Sequence, residues 1–119
     1  MIIDAHAHIY PDNVAARAIS TIVENGDGRV EYFTDGTLKG LLQSMENAAI
    51  DYSIVLPVAT SPGQAGGIIQ WIKSVAAAAP RIVFFGSVHA YDTDYKNIIK
   101  EIRGAGLQGV KFHPGYQNF

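Results

Sequence analysis

Ser53-Ile54-Val55-Leu56-Pro57-Val58 carries no charge and, after its serine, no polar side chain. A strand with one wet face alternates apolar and polar residues. A continuous apolar run instead belongs to a strand covered on both faces, the usual state of strands in a parallel sheet. Thr37 opens a helical pattern before the run, with Leu38, Leu41, Leu42, Met45 and Ala49 on one side. After it, Ser61-Pro62 gives the cap-then-proline order of a helix start. Ile68, Ile72, Val75, Ala76 and Ala79 form the buried stripe of that helix, and Pro80 ends it.

The pattern repeats in both directions. Ile82–Val88 reads as a third strand, and Asp92 or Thr93 as the cap of a helix with Ile98, Ile99 and Ile102 inward. Gly104-Ala105-Gly106 closes that helix. Leu107–Phe112 is a fourth strand, after which His113-Pro114 turns the chain. At the other end, residues 1–6 form the first strand. A helix from Val14 to Glu24 follows, with Asp12 or Asn13 as its cap and Asn25-Gly26 as its stop. Residues 26–36 read as an excursion over the mouth or a short hairpin, with Tyr32 and Phe33 roofing the site or forming a small apolar cluster.

Strands alternating with helices predict right-handed βαβ units and an α/β fold with about four parallel strands. Two architectures fit: a small doubly wound sheet binding a small ligand, or part of a (β/α)8 TIM barrel. An intact barrel takes roughly 250 residues, and the 119 residues here form one domain of about half that size. The sequence stops without a helix after strand four, which reads as an interruption of the barrel. A half-barrel leaves two sheet edges and an uncovered interior. Self-association, or a partner completing the barrel, is therefore expected.

Composition narrows the function classes. Lys plus Arg number 9 and Asp plus Glu 11, a net charge of −2 without a basic run. Nucleic acid and anionic membrane are not expected partners. There is no cysteine, hence no disulfide, thiolate nucleophile or Cys-ligated zinc. No basic leader precedes an apolar stretch, and the longest apolar run, near Val75–Ala79, is too short to span a bilayer. A cytoplasmic location is the resulting expectation. The glycines of 63–67 lack the Gly-Lys-Ser/Thr spacing of a phosphate loop.

The chemistry concentrates in Asp4-Ala5-His6-Ala7-His8. Side chains alternate along a strand, so His6 and His8 point the same way, two imidazoles forming half of a divalent-metal site. All four histidines (His6, His8, His89 and His113) fall at the C-terminal ends of strands, where parallel α/β folds bind ligands. In strand four, Gly109, Lys111 and His113 share one face. Asp4, His89, Lys111 and His113 are candidates for substrate contact or for supporting the metal ligands. The plainer readings are hydrogen-bonded strand-end histidines, a turn residue at His113, a structural His89, and a Lys111 that neutralises a buried carboxylate.

Two stretches carry a family resemblance. Ile3-Asp4-Ala5-His6-Ala7-His8-Ile9-Tyr10-Pro11 resembles the opening strand of the amidohydrolase superfamily, in its branch of metal-dependent hydrolases and decarboxylases. Gly106-Leu107-Gln108-Gly109-Val110-Lys111-Phe112-His113-Pro114 is similar to that branch's fourth-strand signature, and Gly86-Ser87-Val88-His89 to its third strand end. The match covers the whole chain but only the first half of the family's barrel. It implies that His6 and His8 bind a divalent metal, most often zinc, which lowers the pKa of a bound water and polarises the scissile group of a small-molecule substrate. The reaction implied is hydrolysis of a C–N or C–O bond, with decarboxylation as the branch's alternative. In the family a histidine after strand five and an aspartate after strand eight complete the site, and neither position exists here. A non-catalytic, self-associating barrel fragment is the other reading. Asp92 and Asp94 are taken as helix caps, not as the missing aspartate. In some members a fourth-strand lysine is carboxylated to bridge two metals. Lys111 occupies a comparable strand, but the motif more closely resembles mononuclear members.

Overall fold

Parallel pairing begins at the N-terminus, where β1 (Ile3–Ala7) lies beside β2 (Tyr52–Val55). Ile3 stands opposite Tyr52, Asp4 opposite Ser53 and Ala7 opposite Val55, so β1 carries one more residue than β2 between the last two pairs. That bulge falls on Ala5 and His6. β2 then pairs with β3 (Ile82–Phe84), Ser53 opposite Ile82 and Val55 opposite Phe84. Beyond Phe85 the same extended run continues as β4 (Gly86–Ser87), which pairs with β5 (Val110–Lys111). The handover is bonded on both sides: Phe85 N–H donates to Val55 O, Gln108 N–H to Phe84 O and Gly86 N–H to Gly109 O. The strands thus lie side by side in chain order, all parallel. The computed structural model describes residues 1–26 and 29–119.

The helices between them are α1 (Asp12–Asn25), α2 (Leu38–Asn47), α3 (Ala65–Val75), α4 (Tyr95–Gly104) and a short α5 (Pro114–Gln117). Ala7, Val55, Ile82 and Phe84 project from one sheet face onto Leu41 and Met45 of α2 and Ile72 of α3. Val88 continues that face against Ile69 of α3 and Ile102 of α4. A doubly wound sheet places helices on both faces. Here α2, α3 and α4 share one. On the other face Ile3 and Tyr52 are exposed, and Ile54, Leu56, Val83 and Phe85 are only half-buried. Phe85 lies so close to Gly109 that a Cβ there would stand 2.5 Å from its ring, which explains the glycine.

Local signals place α2 well. Thr37 accepts a hydrogen bond from Gly40 N–H, and Asp35 in turn accepts from the Thr37 amide and hydroxyl. Those bonds hold the exposed Asp35 carboxyl below its usual value. Thr37→Ala is expected to lower stability by about 1 kcal/mol in urea denaturation, the usual loss for a helix cap.

Several expected boundaries move. α1 begins at Asp12 because the Pro11 carbonyl already accepts from Val14 and Ala15, so Asp12 and Asn13 lie inside the first turn. Ser61-Pro62 does not start α3. Gly63 sits at φ +83°, and the Gln64 side chain takes up Thr60 and Ser61 N–H instead. β2 stops at Val55, before Pro57, whose nitrogen has no proton for a ladder. Asp94, not Asp92 or Thr93, precedes α4, and it makes no side-chain cap. Strand four shrinks to Val110–Lys111, and a helix does follow it, since His113 caps α5. The excursion at 26–36 lies partly outside the described residues. Its described part, 29–36, forms no strand, and Tyr32 and Phe33 face solvent, roofing nothing. No helix among the described residues is long and apolar enough to cross a membrane.

Candidate metal and substrate site

Asp4 shapes the bulge. Its Oδ1 accepts from the backbone N–H of His6 at 3.0 Å, removing that donor from the ladder with β2. Bulges re-aim side chains, and this one lies where His6 leaves the strand. The Asp4 side chain therefore positions the His6 backbone and forms no hydrogen bond with either imidazole. The rings of His6 and His8 meet edge to face, centroids 4.8 Å apart, with their Nε2 atoms at 3.0 Å.

Two nitrogens each about 2.0–2.1 Å from a tetrahedral zinc stand roughly 3.3 Å apart. The observed convergence needs only a small opening to match. Without an ion, 3.0 Å suits a shared proton, one neutral ring donating to the other. Metal ligation needs a free lone pair on both rings, and the shared proton needs one on the accepting ring. Burial, foremost, and then the neighbouring His6 push the His8 pKa below its ordinary value. Lys111 and His113 press the same way, while a bond to the Leu56 backbone opposes them. The donor set fits a divalent ion on two of its ligand positions. Among the described residues no group of three or more His, Cys, Asp or Glu side chains is arranged to hold a metal.

The strand-four residues lie near enough to act on His8. Lys111 lies opposite Ser87, on the face that Gly109 and Phe85 share. It joins no ion pair among the described residues, which leaves the neutralising role without a carboxylate. His113 is fixed by its own helix: Nδ1 accepts from Tyr116 N–H at 3.3 Å, and its ring lies 4.5 Å from that of Tyr116. Tyr10, just beyond β1, has its hydroxyl pKa raised by burial and then by Tyr116, so α5 reaches towards the end of β1.

His89 is set apart from this group. It is buried, and its Nδ1 accepts from Tyr91 N–H at 3.2 Å while its own amide donates to Asp92 Oδ2 at 2.8 Å. Asp92 Oδ1 accepts from Gly63 N–H at 2.8 Å. Asp92 thus ties the loop after β4 to the loop before α3, a role that helix capping did not anticipate.

Two further residues escaped the sequence reading. Ser87 is fully buried; its Oγ accepts from Ala59 N–H at 2.8 Å and donates to Lys111 O at 3.1 Å, joining three strand ends. Gln117 donates through Nε2 to Ala59 O and Val88 O, at 2.9 and 3.0 Å. Its Oε1 is buried without a partner. A serine inside an apolar strand was a usable signal for the first. Gln117 offered none, since its partners lie 58 and 29 residues away.

Beside His8 lies a cavity of about 160 Å³ whose walls include Tyr10, Pro57, Ile68 and Trp71. A depression of about 460 Å³ between α2 and the end of α3 contains none of the candidate residues. No protein-family model, curated protein or solved structure matches the chain.

Proposed function

We propose that this chain is the first half of an amidohydrolase-type (β/α)8 barrel, with His6 and His8 as two ligands of a divalent metal, zinc foremost. The carrying observation is the 3.0 Å approach of the two Nε2 atoms at the C-terminal end of the first parallel strand. Strands in chain order, with α2, α3 and α4 on one face, support the barrel reading over a doubly wound sheet. When bound, a divalent ion supplies activation of water and polarisation of the scissile group of a small-molecule substrate.

The chain's own residues prepare for that chemistry. Asp4 fixes the backbone of His6 and so the aim of its ring. Burial, foremost, disfavours protonation of His8 and so favours a free lone pair on its ring. Lys111 brings positive charge to the mouth, where charge that develops on a substrate oxygen would be stabilised, and His113 lies near enough to act on His8. Hydrolysis of a C–N or C–O bond uses all of these, and decarboxylation in the same branch uses the same charge. A zinc-loaded chain is expected to hydrolyse activated esters faster than the metal-free chain, with His6→Ala abolishing the difference in a chromogenic assay. Metal-dependent hydrolysis that survives His6→Ala would contradict the proposal.

A second reading, a non-catalytic fragment that self-associates, is favoured by the uncovered sheet face with its exposed Ile3 and Tyr52. Both readings expect assembly or a partner that completes the barrel. Light scattering of the pure chain is expected to give a mass above one chain, and a monodisperse monomer would count against it.

A further inference from the structure

The cavity beside His8 joins three segments: the turn after β1 with His8 and Tyr10, Pro57 beyond β2, and the first turns of α3 with Gly67, Ile68 and Trp71. None of its lining side chains is Asp, Glu, Lys or Arg. Its polar side-chain groups are the imidazole of His8, the hydroxyl of Tyr10 and the indole N–H of Trp71, in an otherwise hydrocarbon wall. Its volume, about 160 Å³, is close to that of engineered apolar cavities of roughly 150 Å³ that take up benzene.

Gly67 lies at the exposed rim of the cavity. It is a helical residue, where glycine is disfavoured. A Cβ at this position would meet no atom within 4 Å, so packing gives no reason for the glycine. Open space beside a helix, bounded by an indole, isoleucine and proline, is space that a ligand can fill.

We infer that this cavity is a binding site for an uncharged ring of about six carbon atoms, with one hydrogen-bonding substituent of that ring directed at His8. The ring is held by Ile68, Trp71 and Pro57, and its size is limited by the walls. Only the direction of the substituent rests on the reading of His8 as the working end of the site. The ring subsite stands without it.

The chain's one tryptophan, Trp71, lies in the wall and reports occupancy directly. Toluene and benzyl alcohol are titrated into the metal-free chain while Trp71 fluorescence is followed. A saturable change is expected for both, with dissociation constants of about 1 mM, as befits ligands of this size. Benzyl alcohol should bind more tightly than toluene, and the difference should vanish in His8→Ala while ring binding persists.

Gly67→Leu places a side chain in the cavity, and leucine favours the helix. It should leave the circular dichroism spectrum unchanged and weaken both ligands at least about tenfold. No saturable change in the parent chain, or equal binding by folded Gly67→Leu, would overturn the subsite. Equal binding of the two ligands in the parent would overturn the role of His8. Metal is absent throughout, so failure of the zinc reading leaves these outcomes untouched.

Discussion

Zinc affinity is expected to fall about 100-fold or more when His6 and His8 are both replaced by alanine. Loss of a residue that merely supports a metal ligand already weakens binding by about 10–100-fold, and this variant removes the ligands themselves. The fold should survive. His6 is exposed, and the ring of His8 bonds to His6 and to the Leu56 backbone, contacts outside the apolar core. Calorimetric titration should show the lost affinity, and urea denaturation a stability change within about 1 kcal/mol. Unchanged affinity would move zinc binding to other groups and remove the metal role from the bulge at Asp4–Ala7.

Asp92→Ala is expected to be the most damaging single change at the mouth. The carboxylate is buried and accepts from two backbone amides on different loops, Gly63 and His89. Alanine deletes both charge-assisted bonds and leaves the buried His89 amide without an acceptor. Losses of this kind amount to about 3 kcal/mol. Asp92→Asn keeps one acceptor oxygen and should lose roughly half as much. Denaturant midpoints of the three proteins check the ranking, and a loss below about 1 kcal/mol for Asp92→Ala would show that the two loops hold without their tie.

The parallel α/β character was legible because burial writes itself into composition. Ser53–Val58 and Ile82–Val88 lack polar alternation, and Ile68, Ile72 and Val75 keep helical period. Strand lengths were not legible. Pro57 and the handover at Phe85 cut ladders within runs that stay apolar for packing against the helices. Side-chain competition with the backbone moved the helix starts: Gln64 binds the Thr60 and Ser61 amides, Asp92 takes the Gly63 amide that a Ser61 cap could have held, and Asp92 leaves α4 uncapped.

At the site, His6 and His8 could be paired from spacing alone, although the bulge that carries them could not. A bulge depends on register against β2, where Asp4 meets Ser53 far along the chain, and on one Asp4 hydrogen bond. Lys111 and His113 were read as one face of one strand, but the strand ends at Lys111 and His113 caps α5; both nonetheless lie near enough to act on His8. Ser87 and Gln117 act by tying strand ends through contacts distant in sequence. The cavity beside His8 is likewise assembled from three separate segments, so no local motif announces it.

Native mass spectrometry of the chain, equilibrated with a slight excess of zinc, reads metal content and assembly together. One zinc per chain in an assembly larger than a monomer, with the zinc lost from the His6→Ala/His8→Ala variant, is the result predicted by a metal half-site on an incomplete barrel. A metal-free monomer under the same conditions would contradict it.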